Sequence, residues 1–229
     1  MALKKDLAKV ISIAIDGPAG AGKSTIADLV SKRLSILHVD TGAMYRAVAY
    51  EALKKGYNVE SEQDMKLVVD NIDLGQEYID GVQKIYLNGE DITNEIRTPR
   101  ISLGASSVAK LFCVRERLTD IQREMAKKES VIMDGRDIGS FVLKDADIKI
   151  FLTASVEERT KRRYKDLLDK GIKDVKIDDV RQDIISRDEN DTNRKISPLK
   201  IADDAVVIDT TGMSIEDVVN KIINLVNGV

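Results

Sequence analysis

The residues from Gly17 to Ser24 read Gly-Pro-Ala-Gly-Ala-Gly-Lys-Ser and match G-x-x-x-x-G-K-[ST], a pattern that binds nucleotide phosphates. Glycines in such a loop let successive backbone N–H groups converge on phosphate oxygens, and the following helix N-terminus adds partial positive charge. We expect Lys23 to reach the β- and γ-phosphates and the Ser24 hydroxyl to bind Mg²⁺. A glycine-rich turn without a ligand is the alternative.

The flanking sequence favours the nucleotide loop over the plain turn. Val10–Ile15 is an apolar run short enough to be a buried strand. After the loop, apolar residues recur at helical spacing, at Ile26, Leu29, Val30 and Leu34. Strand, loop and helix form the context that the motif requires, so we predict that this stretch binds a nucleotide.

Composition limits the class of protein. The chain has 229 residues, of which 43% are hydrophobic, enough for one domain with a sizeable core. With 36 basic and 39 acidic residues the net charge is −3, which argues against a nucleic-acid partner. Cys113, the lone cysteine, excludes an internal disulfide and is expected as a small core residue. The first apolar run stops at Asp16, too short for a signal peptide or membrane span, so we expect a soluble cytoplasmic protein.

Further apolar segments predict an α/β fold with a five-stranded parallel sheet flanked by helices and joined by right-handed crossovers. Besides the first strand, the predicted strands are Ile36–Val39, Val131–Asp134, Ile148–Leu152 and Ala205–Asp209. Ligands of such sheets bind at the carboxyl ends of the strands. We therefore expect the residues at these ends to converge on the loop, namely Asp16, Asp40, Thr41 and Asp134–Asp137.

A different pattern occurs between the second and third of these strands. After a predicted helix from Ser61 to Asp70, short strands are expected at Tyr78–Ile79, Val82–Leu87 and Asp91–Ile92. The pairs Asp-Gly and Asn-Gly between them, at 80–81 and 88–89, are typical of two-residue hairpin turns. The sequence thus predicts a small antiparallel meander inserted between helices.

Several helix boundaries can be predicted as well. One face of a helix is marked by Met44, Val48, Ala52 and Leu53, and Gly56 should end it. Helices are also expected between about Arg100 and Lys128, and a last one from Ser214 to Val226 with Ser214 as its cap. His38, the only histidine, is expected to be a packed strand residue rather than a base or metal ligand, and no His/Cys cluster could hold structural zinc.

Arginines distinguish among the classes of protein that use such a loop. A GTP-binding switch needs Asn-Lys-x-Asp after a strand, whereas the only Asn-Lys pair, Asn220-Lys221, lies in the last helix. An ATPase motor or transporter subunit needs a signature loop and usually a larger chain. A small phosphoryl-transfer enzyme must bring two polyanions together, for which arginine is suited by its bidentate, permanently charged fork. Arginines near strand-end turns or in the charged stretch fit this class: Arg46, Arg97, Arg115, Arg136, Arg187 and Arg194.

Taken together, several segments resemble the bacterial cytidylate kinase family, long form, of P-loop nucleoside monophosphate kinases. These segments are Asp16–Ser24, Val39–Arg46, Glu95–Thr98, Asp134–Gly139, Arg187–Arg194 and Ser197–Leu199. The resemblance covers nearly the whole chain from about Val10. It implies one P-loop kinase domain over 1–229, with a core of 10–60, 96–154 and 196–229. It further implies an NMP-binding insert at about 61–95 and an arginine-bearing lid at about 155–195, a charged stretch that otherwise indicates a solvated helix face.

The resemblance also implies roles for particular residues. ATP would be bound by Gly17, Pro18, Ala19, Gly20, Ala21, Gly22, Lys23, Ser24 and Thr25. The CMP phosphate would be gripped by Arg46, Arg136 and Arg194, and Thr41 would lie near the CMP ribose and phosphate. Cytosine would face Ser106, Arg115 and Asp137, and the ribose would be held by Arg187 and Asp191.

The remaining implied roles concern the metal and the migrating phosphoryl group. Asp134 would organise water on Mg²⁺ beside Ser24, with Asp40 assisting. Arg159 and Arg163 are the lid candidates for contact with the migrating group. Some family members have a further arginine in the segment where this chain has Asn190.

The expected reaction is in-line transfer from Mg²⁺-bound ATP to CMP or dCMP, without a covalent enzyme intermediate, by a monomer with no membrane partner. Two alternatives stay open: a kinase of this fold acting on UMP, AMP or shikimate, and a nucleotide-binding module without activity. A screen of phosphate acceptors distinguishes them, because a binding module would transfer to nothing.

Overall fold

The computed structural model of the chain describes residues 10–79, 82–169, 171–172 and 174–228. Within these residues the strands are β1 (Ser12–Asp16), β2 (Leu37–Asp40), β3 (Leu74–Ile79), β4 (Val82–Leu87), β5 (Glu90–Asp91), β6 (Val131–Gly135), β7 (Ile148–Thr153) and β8 (Val206–Asp209). The α-helices are α1 (Lys23–Leu34), α2 (Thr41–Lys54), α3 (Glu62–Val69), α4 (Pro99–Val108), α5 (Phe112–Lys128), α6 (Val156–Asp169), α7 (Ile177–Thr192) and α8 (Ile215–Asn227). A 3₁₀ turn covers Glu95–Arg97, and a π-helical turn covers Ile138–Val142.

The five predicted core strands form one sheet in the order β2-β6-β1-β7-β8. The central strand, β1, pairs in parallel with β6 on one side and β7 on the other, so that Ile13 lies opposite both Ile132 and Ile148. Each of these three strands contains consecutive apolar residues rather than an alternating pattern, as expected where helices cover both faces of a parallel sheet. Ile13, Ala14 and Ile15 are fully buried. The predicted five-stranded parallel sheet is confirmed.

Helices α1 and α8 contribute to the core on this sheet. Ile26 and Val30 of α1 and Val219 and Ile222 of α8 are buried in one apolar cluster with the strands. Helix α8 begins as predicted, since the Ser214 hydroxyl accepts a hydrogen bond from the Asp217 N–H at 3.1 Å.

The chain groups into two compact units. The first contains the described residues up to His38 and those from Ser130 onward, and the second is Val39–Glu129. The segment 61–95 therefore belongs to one unit with α2, α4 and α5. The finer division into core, NMP-binding insert and lid remains a prediction.

In the second unit, α2 packs against α4 and α3 packs against α5. Met44, Val48 and Ala52 are buried on α2 as predicted, whereas Leu53 is half-buried. Cys113 was expected in the core, and that prediction is wrong. It lies half-buried in the first turn of α5, because the inward face of this helix is set by Val114 and Leu118.

The antiparallel meander is also confirmed. Strands β3 and β4 pair with Ile79 opposite Val82, and the Asp80-Gly81 pair predicted as their turn lies outside the described residues. Between β4 and β5, Asn88 and Gly89 both have positive φ, 51° and 83°, as a two-residue type I′ turn requires. Strand β3 begins at Leu74 rather than at Tyr78, because Gly75, Gln76 and Glu77 interrupt the apolar pattern from which strands are predicted.

Candidate active site

The predicted nucleotide loop lies between β1 and α1 in the first unit. Gly17 has φ +149°, and a Cβ at this position would collide with the carbonyl oxygen of Leu152, so the position requires glycine. The Lys23 ammonium donates a hydrogen bond to the Pro18 carbonyl at 2.8 Å. Ser24 and Thr25 are exposed at the start of α1. The strand, loop and helix that the motif requires are therefore all present.

Lys23 is a buried cation, with only 6% of the residue exposed. Burial, together with the nearby positive charge of Arg136, lowers the pKa of Lys23 to about 7, although Asp134 and Asp191 oppose the shift. A phosphate in the loop would supply the negative charge that favours the protonated form. Binding of a polyanion in the loop would thus raise the fraction of Lys23 that is protonated.

Asp134, at the end of β6, lies next to the loop. Its Oδ2 accepts a hydrogen bond from the Ser24 hydroxyl at 2.7 Å, and its Oδ1 accepts one from Nε2 of His38 at 2.8 Å. Burial alone would raise the pKa of Asp134, but the hydrogen bonds from His38 and Ser24 and the charge of Lys23 hold it below its ordinary value. The structure therefore brings Ser24 and Asp134 together as predicted, with Asp134 ionised.

His38 is where the prediction was incomplete. It is a buried strand residue as expected, 2% exposed, but it also contacts the carboxylate assigned to the metal. The signal that could have found it is topological. His38 lies near the end of β2 and Asp134 near the end of β6, and these strands are neighbours in the sheet.

The donors near the loop fit Mg²⁺. Hydroxyl and carboxylate oxygens are hard ligands, and Mg²⁺ usually binds one or two of them together with substrate phosphates and water. Among the residues that the structure describes, no group of three or more His, Cys, Asp or Glu side chains could hold a metal by itself. Ser24 and Asp134 would accordingly supply part of the coordination sphere of Mg²⁺, and the nucleotide phosphates and water would complete it.

Asp16 has a structural contact at the same edge of the sheet. Its carboxylate accepts hydrogen bonds from the N–H groups of Ile138 and Gly139, both at 2.8 Å. Burial raises the pKa of Asp16 to about 6, although both backbone hydrogen bonds act in the opposite direction. Asp16 thereby fixes the π-helical turn that follows Asp137, itself only 5% exposed.

One residue of the predicted lid segment, Asp191, contacts Arg136, the residue that follows β6. The Arg136 guanidinium donates from Nε to Asp191 of α7 at 2.6 Å and from Nη1 to the Gly135 carbonyl at 3.2 Å. Arg194 follows the end of α7 and is half-buried.

Arg187 and Asp191, the two residues predicted to hold the ribose, both lie on α7. Arg187 pairs with Asp183 of the same helix, at 3.2 Å. An acid four residues before a base is the favoured order on a helix, and Asp183 has that place while Asp191 follows Arg187. Arg187 and Asp191 thus have separate partners, Asp183 and Arg136.

Arg159 of α6 connects the loop to both helices of the predicted lid segment, α6 and α7. Its Nη1 donates to the Ala19 carbonyl at 2.9 Å and to Asp188 of α7 at 2.6 Å, and its Nε donates to the Ala154 carbonyl at 3.0 Å. Asp188 also accepts from the Ala19 N–H at 3.2 Å, a role that the sequence did not indicate. Arg163, the other lid candidate, pairs near the surface with Asp166.

The second unit contains the remaining predicted residues. Asp40 caps α2, because its Oδ1 accepts from the Ala43 N–H at 2.8 Å, and its Oδ2 accepts from Nη2 of Arg46 at 2.9 Å. Both carboxylate oxygens of Asp40, the second candidate for the metal, are therefore engaged within this unit. Thr41 is buried in the first turn of α2.

The two predicted cytosine contacts in the second unit differ in exposure. Arg115 on α5 is 2% exposed, its guanidinium carbon lies 5.9 Å from the centre of the Tyr45 ring, and its Nη1 donates to the Ala109 carbonyl at 3.4 Å. Ser106 on α4 is exposed, and its hydroxyl donates to the Ser102 carbonyl at 3.4 Å. Arg115 thus has an aromatic partner within the unit, as a buried arginine requires, whereas Ser106 lies at the surface.

Comparison with known proteins gives a consistent picture. A family model described as cytidylate kinase matches residues 13–228. A cytidylate kinase of Bacillus cereus (strain B4264) is 49% identical over 221 residues, which cover 96% of this chain and 98% of that protein. One from Bacillus thuringiensis (strain Al Hakam) is 48% identical with the same coverage.

Solved structures are similar in fold at low sequence identity. The crystal structure of an uncharacterized protein from Eubacterium ventriosum aligns with a TM-score of 0.54 at 15% identity, covering 96% of this chain and 99% of that chain. In the part of the chain that the structure describes, no helix is long and apolar enough to cross a membrane.

Proposed function

Because the chain belongs to the cytidylate kinase family, we propose that it transfers the γ-phosphoryl group of ATP to CMP, giving ADP and CDP. The observation that carries the proposal is the ionised Asp134 held against Ser24 beside the buried Lys23, in a chain matched by the family model over almost its whole length. dCMP is the proposed second acceptor.

The donor nucleotide is proposed to bind at the loop from Gly17 to Thr25. Backbone N–H groups and the N-terminus of α1 would hold the phosphates, and the Lys23 ammonium would contact the β- and γ-phosphates. Mg²⁺, when bound with ATP, would neutralise charge on the phosphates. Ser24 and Asp134 are the residues that would hold the metal, Asp134 through water.

For the acceptor, we assign the phosphate of CMP to three arginines and the ribose to a pair of polar residues. The phosphate ligands are Arg46, Arg136 and Arg194, with Thr41 near the ribose and phosphate. Arg136 now pairs with Asp191, so an incoming phosphate would exchange one anionic partner for another at little cost in desolvation. Arg187 and Asp191 remain the proposed ribose ligands.

Transfer needs no side-chain nucleophile, because the acceptor phosphate is already anionic. The chain's contribution is to align the two phosphates, exclude water and stabilise charge on the migrating group. Lys23 is the proposed principal cation, with Arg159 and Arg163 as lid cations. Arg159 would have to release Asp188 or the Ala19 carbonyl to take that part.

Cytosine is proposed to be read by Asp137, with Arg115 and Ser106. Cytosine presents a 4-amino donor where uracil presents a carbonyl acceptor, and an ionised carboxylate can only accept. If Asp137 merely holds the turn after β6, Asp137→Asn will lower kcat/KM for CMP and UMP by the same factor. If it reads the base, the substitution will lower kcat/KM for CMP alone, by the roughly 5- to 150-fold that such a polar contact contributes to specificity.

An acceptor screen tests the proposal. ATP is offered with CMP, dCMP, UMP, AMP and shikimate in turn, and ADP release is followed by a coupled assay with the phosphorylated product identified by chromatography. We expect CMP and dCMP to give the highest kcat/KM and Lys23→Met, assayed in parallel, to give almost none. Binding of ATP without transfer to any acceptor would make the protein a nucleotide-binding module instead.

We further propose a cytoplasmic monomer, in keeping with the lone cysteine and the small net charge of −3. Size-exclusion chromatography with light scattering measures the oligomeric state with and without nucleotides. A mass of two chains in either condition would overturn the monomer.

A further inference from the structure

Gln76 of β3 is a buried amide whose contacts the proposed reaction does not yet use. The residue is only 7% exposed, and its side chain is bonded to the backbone of a residue 36 positions earlier. Its Oε1 accepts a hydrogen bond from the Asp40 N–H at 2.9 Å, and its Nε2 donates to the Asp40 carbonyl at 3.0 Å. One side chain therefore holds both backbone groups of Asp40, as a paired strand would.

Asp40 is in turn the residue that places Arg46. With its backbone held by Gln76, Asp40 directs Oδ1 to the Ala43 N–H and Oδ2 to Nη2 of Arg46. The ion pair lies directly over the first turn of α2, since a Cβ at Gly42 would come within 3.1 Å of Asp40 Oδ1 and 3.2 Å of Arg46 Nη1. A small rotation of the Asp40 backbone would consequently shift the guanidinium.

The amide side chain is itself anchored in the meander. Its Oε1 also accepts from Nε2 of Gln83 on β4, at 3.1 Å, which uses the second lone pair of the oxygen. Gln83 lies on β4, the strand that pairs with the strand of Gln76, and it is opposite Tyr78 of β3. The chain of contacts from Gln83 through Gln76 and Asp40 to Arg46 lies wholly in the second unit.

We propose that Gln76 is a positioning residue for Arg46, acting through Asp40, so that the β3-β4 hairpin sets the affinity of the site for the phosphate of the acceptor nucleotide. This inference rests on the proposed function, in which Arg46 binds the CMP phosphate. It makes the antiparallel sheet part of acceptor binding rather than an appendage. Gln76 acts at a distance, through backbone geometry and not through contact with substrate.

The first test is Gln76→Met, which keeps the length of the side chain and removes both hydrogen bonds to Asp40. We expect KM for CMP to rise about ten-fold, the order of effect produced by one lost buried hydrogen bond pair, while kcat and KM for ATP change by less than about two-fold. Cytidine lacks the phosphate, so its inhibition constant against CMP should stay the same. An equal loss for CMP and cytidine would show a general defect of the pocket and overturn the inference.

Gln83→Met is the matched control. It is the same substitution in the same hairpin, and it removes the hydrogen bond from Gln83 to Gln76 while both hydrogen bonds between Gln76 and Asp40 stay in place. We expect its KM for CMP to remain within about two-fold of the wild-type value. A rise equal to that of Gln76→Met would mean that any damage to the hairpin weakens CMP, against a specific route through Asp40.

A double-mutant cycle with Arg46→Ala decides whether Gln76 acts through Arg46. If it does, Gln76→Met adds nothing to the KM for CMP once Arg46 is gone. Additive effects would overturn the inference. If Arg46→Ala weakens CMP and Gln76→Met does not, the inference alone is wrong, whereas an Arg46→Ala enzyme with unchanged KM for CMP would instead remove Arg46 from the proposed function.

Gln76→Glu covers the case in which the methionine variant does not fold. A carboxylate keeps the oxygen that accepts from the Asp40 N–H but loses the donor to the Asp40 carbonyl. We expect a smaller rise in KM for CMP, about three-fold, again absent in the Arg46→Ala background. No change in this variant would contradict the role of the Asp40 carbonyl contact.

Discussion

At the scale of single residues, the site is built on charges that are buried before any nucleotide arrives. Lys23 is almost fully buried beside Asp134 and Arg136, and burial brings its pKa down to about 7. The unfolded chain would keep the lysine protonated to a much higher pH, so between pH 7 and 10 folding releases protons and the contribution of Lys23 to stability improves as the pH rises. Binding of phosphate beside Lys23 should raise its pKa again and cause uptake of protons.

Lys23→Met tests the role of this charge. Loss of a cation that stabilises the transition state typically costs about 10²- to 10³-fold in rate, so we expect ADP release to fall by that factor with an unchanged circular dichroism spectrum. At pH 7 calorimetry in buffers of different ionisation enthalpy should show uptake of about half a proton when ATP binds the wild type, and none in the variant. Turnover near the wild-type rate would contradict the loop assignment.

His38 gives a second prediction at this scale. Replacing His38 by Leu leaves Asp134 buried without one of its donors, which should lower the free energy of unfolding by about 1–3 kcal/mol and weaken binding of a fluorescent ATP analogue more with Mg²⁺ than with EDTA. His38→Gln retains an N–H donor of similar reach and should recover most of both losses. Equal behaviour of the two variants would reduce His38 to a packing residue.

At the scale of elements, the apolar patterns of the sequence predicted the strands of the core, but they did not predict the features that depend on polar side chains. The five core strands and the Asn88-Gly89 turn are where the sequence places them, because burial and turn geometry act locally. Strand β3 was predicted four residues late, since its buried Gln76 is polar. The pairs Arg136–Asp191 and His38–Asp134 join distant parts of the chain, and only the folded topology brings them together.

Asp16 links two of these elements, and its titration should be measurable. Its pKa in the folded protein, about 6, is above the ordinary 3.8, so the folded state binds the proton more tightly and its contribution to stability is lost as the pH rises through 6. Relative to Asp16→Asn, the free energy of unfolding of the wild type should rise by about 1 kcal/mol between pH 7.5 and pH 5. Urea denaturation at both pH values measures the difference.

Asparagine does not titrate, so the comparison removes the pH dependence of all other groups. In the variant, the amide N–H of Asn will also face one of the two backbone N–H groups that donate to Asp16 in the wild type. This lowers the stability of the variant by an amount that does not depend on pH. A difference between wild type and variant that is the same at both pH values would contradict the raised pKa.

At the scale of the whole molecule, the chain has two compact units, and residues assigned to the acceptor occur in both. Arg46 and Arg115 belong to Val39–Glu129, while Arg136 and Arg194 belong to the other unit. In the first unit, Arg159 and Asp188 tie α6 and α7 to the nucleotide loop through Ala19. Each unit therefore has its own fixed contacts, and ligands should affect the two differently.

Amide hydrogen exchange tests this in the described parts of the segments 61–95 and 155–195. Phosphoryl transfer must exclude water, or ATP would be hydrolysed, so exchange in both segments should slow when CMP and a non-hydrolysable ATP analogue are present together. CMP alone should protect the segment 61–95, where Gln76 lies, and the part of 155–195 that contains Arg187, Asp191 and Arg194. The ATP analogue alone should protect mainly the part of 155–195 that contains Arg159 and Asp188. In Gln76→Met the protection by CMP should require a higher concentration of CMP, while the protection by the ATP analogue should not change. Exchange that is the same in both segments with and without the two ligands would mean that the site is rigid and already formed, and that water is excluded by the substrates themselves.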